Sequence, residues 1–313
     1  APKQPGRQLV QPALNELVPF IDWTPFFQTW DLAGRFPAIL DDKVVGESAR
    51  SVYRDALAML ERLVNEQWLQ ARGVVGLWPA NADGDDIVIY HDVARTQEAM
   101  RWHNLRQQEA KAGDRANLCL ADFIAPLSSG VPDWIGGFAV TTGLGCDERV
   151  AAYEAAHDDY NAILLKALAD RLAEAFAEWL HCKVRRQYWG YASDETLDPA
   201  ALIAEQYRGI RPAPGYPACP DHVAKGPLFA LLQAEEAGLH LTESYAMTPA
   251  AAVSGFYLAH PAARYFAVGR IGADQVADLA RRQGKPQDEV ERWLAPVLGY
   301  EPAARSGPTA ITA

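Results

Sequence analysis

The segment RPAPGYPACPDH at 211–222 constrains this chain more than any other stretch. Four of its twelve residues are proline, at Pro212, Pro214, Pro217 and Pro220. Each fixes its own φ and lacks an N–H donor, and each drives the residue before it out of the helical region. The segment can be neither helix nor central strand, so the rest of the fold has to be assembled around an extended, stiff loop. A loop of this kind has little freedom left to lose on binding and suits polar groups that must stand ready for a ligand. Arg211, Tyr216 and His222 are its candidate contacts, and the backbone about Gly215, with no Cβ, can come close to a ligand. A proline-stiffened connector between helices is the alternative reading of the same residues.

Hydrophobic periodicity predicts a mixed set of elements around the loop. The segment 22–27 reads as a turn into a short helix. Val52, Leu57, Leu60, Leu63 and Val64 give 46–68 an apolar stripe at helical spacing. Strands are predicted at 73–78 and 86–91 across a turn at Asp83-Gly84, a helix at 95–111 ending near Gly113, and a short apolar strand at 135–141. The longest helical stretch is 148–188, where Tyr153, Tyr160, Leu164, Leu168, Leu172, Phe176 and Trp179 keep one face apolar; a break within it has no visible position. A helix at 199–207 leads to the proline loop, and another at 224–237 stops at Gly238. Strands at 253–260 and 264–271, then helices at 274–283 and 287–294 separated by Gly284-Lys285-Pro286, complete the chain. There is no repeat and no regular βαβ alternation, which predicts an α+β fold rather than a doubly wound sheet.

Bulk properties narrow the function. With 313 residues, 49% of them hydrophobic, the chain can bury a sizeable core. A formal net charge of −11 lacks the basic footprint of a nucleic-acid binder. No apolar run reaches the length of a membrane span, and no signal peptide opens the chain; APKQPGRQLVQP at its start reads as a linker. Cys119, Cys146, Cys182 and Cys219 show no CxxC spacing, so the expectation is four reduced thiols in a cytoplasmic protein and no bound metal. The strings GxGxxG after a strand, GxxxxGK[ST], HExxH and GxSxG are absent. His157, His181 and His240 read as solvated or locally bonded.

The string IRPAPGYPACPDH closely resembles the signature of the activation domain of cobalamin-dependent methionine synthase. FIDWTPFF from Phe20, ARGVVGLWPA from Ala71, LADFIAP from Leu120, ALADRLAEAFAE from Ala167, LTESYAM from Leu241, RYFAV from Arg264 and VERWLAP from Val290 resemble the same family in the same order and span nearly the whole chain. The resemblance implies a single α+β unit with a twisted, largely antiparallel sheet flanked by helices. It also implies an activity: S-adenosylmethionine is presented to cob(II)alamin carried by the cobalamin-binding module of the same enzyme. With one electron from a flavodoxin-type donor, methylcobalamin is restored and homocysteine-to-methionine methyl transfer resumes. The sulfonium is already a good leaving group, so no general base is needed and no catalytic residue is expected. The work of the protein is positioning and electrostatics.

The resemblance also assigns residues. A guanidinium fork at Arg211 suits the carboxylate of S-adenosylmethionine; alone, it would pair with a local acid such as Glu205. Asp22, between Ile21 and Trp23, is either a cap for the Thr24-Pro25 turn or the acceptor for the ligand ammonium, and Glu205 is a second candidate for that ammonium. Tyr265 and Phe266 match the family's ligand-binding pair. On a strand they would lie on opposite faces, Tyr265 with open space beside it and Phe266 turned to the core. Ala213 and Gly215 offer backbone, and Tyr216 at the loop tip faces the corrinoid or is an ordinary surface tyrosine. Asp170, Glu174 and Glu178 recur every four residues: a solvated acidic face, or, on the resemblance, a docking face for the cobalamin module, with Asp170 and Glu174 as the docking residues. The expected organisation is a linker over 1–15, the S-adenosylmethionine-binding domain over 16–300 and a tail over 301–313. Competing functions are a stand-alone S-adenosylmethionine-dependent methyltransferase and a non-enzymatic sensing or docking module.

Overall fold

The computed structural model of the chain describes residues 1–302 apart from 112 and 114. Strand β1 (Gly6–Val10), short helices α1 (Leu14–Leu17) and α2 (Thr24–Gln28) and the long helix α3 (Gly46–Asn65) come first. They are followed by β2 (Gln70–Asp83), β3 (Asp86–Tyr90), β4 (Glu98–His103) and β5 (Asp133–Leu144). Helices α4 (Cys146–Ala155), α5 (Asp159–Lys183), α6 (Pro199–Ile203) and α7 (Lys225–Leu232) lead to the small hairpin β6 (His240–Leu241) and β7 (Met247–Thr248), to β8 (Ala252–Tyr257), and to the closing helices α8 (Ala273–Gln283) and α9 (Gln287–Leu294).

The main sheet runs β4-β3-β2-β5-β8, with β1 also paired to β2, and every pairing in it is antiparallel. This is the expected α+β class. Strand β2 is the spine. One of its edges pairs with β5, and the other serves β1 at 73–77 and then β3 at 80–83. Both faces of the sheet are covered, which is why its central strands read as nearly unbroken apolar runs rather than alternating ones. Val75, Leu77, Phe138, Val140 and Tyr257 join one core with α3 and α5. Val74, Trp78, Ile135, Ala139 and Phe256 join a second with Leu228 and Leu232 of α7. A third, smaller core holds Val268, Ile271, Val276, Leu279 and Leu294. Arg282 of α8 fastens it to the sheet through an ion pair with buried Asp86 and a 3.0 Å hydrogen bond to the Asn104 carbonyl.

Several elements differ from their predicted form. The segment 95–111 is not a helix: β4 occupies Glu98–His103, with Met100 and Trp102 turned inward. Its helix-forming residues are overridden because the open edge of β3 needs a partner, which β4 provides from Asp86↔His103 to Ile89↔Met100. The stretch 264–271 crosses the surface outside any strand. Its polar backbone is satisfied piecemeal: Val268 N–H donates to the Pro217 carbonyl at 2.8 Å and Ile271 N–H to Val297 at 3.0 Å, while Ala267 O accepts from Gln107 at 2.7 Å. The long helix is divided at 156–158, where His157 has φ 56° and Asp158 caps α5 by accepting from Asn161 N–H at 3.1 Å. Helix α6 stops at Ile203, before Glu205 with φ 54°. Residues expected as an N-terminal linker include β1, whose backbone bonds are taken up by β2, and of the expected tail 303–313 lie outside the described residues. Among the described residues no helix is long and apolar enough to cross a membrane.

Candidate functional site

The proline loop is extended only at its start. Ile210 exchanges backbone hydrogen bonds with Leu258, and the Pro212 carbonyl accepts from Phe256 N–H at 2.9 Å, so the chain lies along the outer edge of β8. Gly255 permits this approach, since a Cβ there would stand 2.6 Å from the Pro212 oxygen. After Ala213 the loop doubles back. Tyr216 N–H donates to Ala213, Cys219 N–H to Tyr216 at 2.9 Å and Gly215 N–H to Cys219 at 2.8 Å, with a further 3.0 Å contact from Cys219 Sγ to the Ala213 carbonyl. Gly215 sits at φ 98°, and a Cβ there would stand 2.2 Å from the His222 ring, so the turn requires glycine. The difference from the stiff extended loop of the sequence reading is physical: four prolines leave few donors, and those that remain close a tight turn on themselves.

Two adjoining cavities open beside this turn. One, of about 530 Å³, is bounded by Arg211, Ala213, Tyr216, Tyr265, Phe266 and the floor residue Phe138. The other, of about 340 Å³, includes Asp22, Arg171, Glu178 and Ile203. Glu174, Glu205 and Arg211 line both, so the two form one groove with an aromatic, apolar arm and a charged arm. The structure thus brings Asp22, Glu205, Arg211, Ala213, Tyr216, Tyr265 and Phe266 to one groove. Gly215 shapes the turn without lining the groove. Asp170 lies outside it, exposed and paired with Arg171, whereas Glu174, one turn on, belongs to the groove itself.

Arg211 is the electrostatic centre. Its Nη1 lies 2.7 Å from Glu178 Oε2, donates to Tyr207 OH at 2.9 Å and stands 3.3 Å from His181 Nδ1. Its backbone N–H donates to Tyr265 OH at 3.0 Å. The ion-pair partner is therefore Glu178 and not the sequence neighbour Glu205. Burial works against the charge of Arg211, but the Glu178 carboxylate and the surrounding phenols outweigh it and hold its pKa above the usual value. Glu174 and Glu205 are pushed up, chiefly by burial, with Arg211 opposing in both. Asp22 Oδ1 accepts from Thr24 N–H at 2.9 Å, so the turn-capping reading holds geometrically while the carboxylate also lines the charged arm.

Sequence reasoning missed the support beneath Arg211. His181 is fully buried, stacked on Tyr257 with ring centroids 5.0 Å apart, and edge-on to Tyr207. Burial, reinforced by Arg185 and Arg211, holds its pKa well below the ordinary histidine value, so the ring is neutral. Arg185, also fully buried, makes a two-pronged pair with Glu195 at 2.8 and 2.7 Å. The available signal was spacing. Glu174, Glu178, His181 and Arg185 follow one another at four, three and four residues, the first three in α5 and Arg185 just past its end. His222 stands at the rear of the turn beside Lys225. Among the described residues no cluster of three or more His, Cys, Asp or Glu could hold a metal. The groove offers a fixed cation, several carboxylates and aromatic walls, with nothing resembling a nucleophile–base pair: the chemistry of holding a charged ligand rather than attacking one.

Residues 13–284 match the family described as the vitamin B12 dependent methionine synthase, activation domain. The chain is also similar to a solved structure, the crystal structure of the MetH reactivation domain bound to AdoHcy, at 56% sequence identity and a TM-score of 0.93. That match covers 96% of this chain and 92% of the other.

Proposed function

The chain belongs to the family of activation domains of vitamin B12-dependent methionine synthase, and from that membership we propose that its groove binds S-adenosylmethionine and presents the methyl group for reductive reactivation of cobalamin held on another module. The observation that carries this reading is the placement of Arg211, a buried-edge guanidinium that lines both arms of the groove. In the proposed complex the ligand carboxylate meets Arg211, the ammonium faces Asp22 and Glu205, and Tyr265 and Phe266 border the apolar arm. An aromatic face near the sulfonium would add about 0.5–2 kcal/mol of cation–π attraction. Cobalamin supplies the methyl-accepting cobalt. The part of this chain is to bind the donor, fix its orientation and keep its charges matched, and no proton transfer is required of any side chain. Exposed Tyr216 stands at the open edge of the groove, where a corrinoid ring would approach.

The same reading extends to partners: the cobalamin-binding module of the parent enzyme, a flavodoxin-type electron donor and a cytoplasmic setting. It treats 16–300 as the ligand-binding domain. Calorimetry of the chain with S-adenosylmethionine tests it. Saturable binding with no tight binding of free cobalamin is expected, and no detectable binding at millimolar ligand would overturn it. Methyl transfer to a small acceptor without any corrinoid would instead favour a stand-alone methyltransferase.

A further inference from the structure

The Arg211 guanidinium is held by one corner only. Glu178, Tyr207 and His181 all meet Nη1, and within the described protein Nε and Nη2 make no hydrogen bond. A second cation stands behind them. Glu178 Oε1 lies 3.8 Å from Nη1 of Arg185, a charge contact without a hydrogen bond; the fork of Arg185 is filled by Glu195 and its guanidinium covers the Tyr207 ring at 4.4 Å. Neutral His181 offers Nδ1 as an acceptor to Arg211 and adds no competing charge. Two arginines and two glutamates thus balance beneath the groove before any ligand arrives. A zwitterionic amino-acid group can then enter without leaving a buried charge unpaired.

We propose that Glu178 is a positioning residue: with Tyr207 it pins one amino group of Arg211 so that the opposite edge is presented, already oriented, to the carboxylate of an S-adenosyl amino acid. This inference rests on the proposed function and adds the device that makes the site selective for a carboxylate-bearing ligand. A free arginine side chain would have to lose its rotamer freedom on binding, and a pinned one has lost it already. Because the fork binds two oxygens in its own plane, its orientation decides whether one or two hydrogen bonds form. The competing possibility is that Glu178 stands in for the ligand and must be displaced. The contacts speak against it, since Glu178 occupies a corner of the guanidinium and not the Nε–Nη2 edge where a carboxylate docks in two-pronged fashion.

The test compares S-adenosylmethionine with its decarboxylated form, which keeps the sulfonium, the ammonium and the adenosine. Affinities of both are measured by calorimetry for the wild-type chain, Glu178→Gln, Arg211→Ala and the double variant. Glu178→Gln is expected to lower the preference for the carboxylate about tenfold, with binding of the decarboxylated ligand changed less than about twofold. In the Arg211→Ala background the same change is expected to leave the preference where it is. A merely structural role would weaken both ligands alike. Tyr207→Phe, which removes the 2.9 Å bond and keeps the ring, is expected to shift the preference in the same direction by less, and it serves if Glu178→Gln does not fold. An unchanged preference in Tyr207→Phe and any folded Glu178→Gln, or a preference that rises, overturns the inference while leaving the proposed function intact. A wild-type chain that binds neither ligand overturns the proposed function itself.

Discussion

At the scale of single residues, Arg211 and Asp22 each combine a contact within the fold with a proposed contact to the ligand, and the two separate under substitution. Arg211 is both the partner of Glu178 and the proposed carboxylate receptor. Arg211→Ala is expected to weaken S-adenosylmethionine binding by about 2 kcal/mol or more, since the ligand loses its charged partner. Arg211→Lys should restore only part of that loss, because an ammonium has no planar fork; calorimetry on the folded variants decides. Asp22 caps the Thr24 turn with Oδ1 while lining the charged arm. Asp22→Asn keeps the cap and removes the charge. Its expected signature is weaker ligand binding at unchanged melting temperature, whereas Asp22→Ala should lower both, with the loss of the cap alone costing about 1 kcal/mol. Equal affinities for wild type and Asp22→Asn would confine Asp22 to the turn.

At the scale of elements, α5 does most of the organising. Most of its residues are buried, Ala169, Ala173 and Ala177 fully so. Its one polar stripe carries Glu174, Glu178 and His181 from the groove down to the buried charges. The helix starts where Asp158 caps it, and Asp158→Ala should destabilise the chain by about 1 kcal/mol, with Asp158→Asn close to wild type in a denaturant titration. The acidic residues predicted as one docking face sit in different surroundings. Glu174 lines the groove, half-buried and with its pKa raised chiefly by burial, while Asp170 is exposed. Glu174→Gln is therefore expected to change S-adenosylmethionine affinity and Asp170→Asn to leave it unaltered. If Asp170 takes part in docking the cobalamin module, Asp170→Asn slows reductive reactivation alone. Wild-type reactivation rates in Asp170→Asn at low and moderate salt would return it to an ordinary solvated carboxylate.

At the scale of the whole molecule, three cores meet along the groove. Phe266 packs against both the second and the third, and the Pro212 and Pro217 carbonyls tie the loop to β8 and to the 264–271 crossing. The third core is joined to the sheet through Asp86, which is buried beside Arg282 and 3.0 Å from His103. Burial raises the cost of its charge, but His103 and Arg282 outweigh that and hold its pKa below the usual carboxylate value. A depressed folded-state pKa contributes stability above the unfolded value and loses it as pH falls through the folded one. The stability gap between wild type and Asp86→Asn should therefore be full at neutral pH and shrink below about pH 4. Thermal melts at stepped pH check this, and a gap that persists undiminished well below that range would remove Asp86 from the linkage.

By itself the sequence determined what depends on local chemistry and on order along the chain. The prolines forbade helix at 211–222, the apolar periodicity marked α3, α5, α8 and α9, and the apolar runs at 73–78 and 135–141 marked strands. Seven further segments, in order, carried the family. Tertiary structure decided whatever depends on a partner far away in sequence. The edge of β3 drew 98–103 into a strand against its helical propensity. The carbonyls of Pro217 and Val297 and the side-chain amide of Gln107 held 264–271 out of the sheet. The ion pair of Arg211 went to Glu178, thirty-three positions earlier, over the nearby Glu205, because α5 passes beneath the groove while Glu205 stands at its rim. Charge placement in a folded chain is settled by which carboxylate is buried against the cation, and a buried pair interacts far more strongly than an exposed one; adjacency in sequence does not enter.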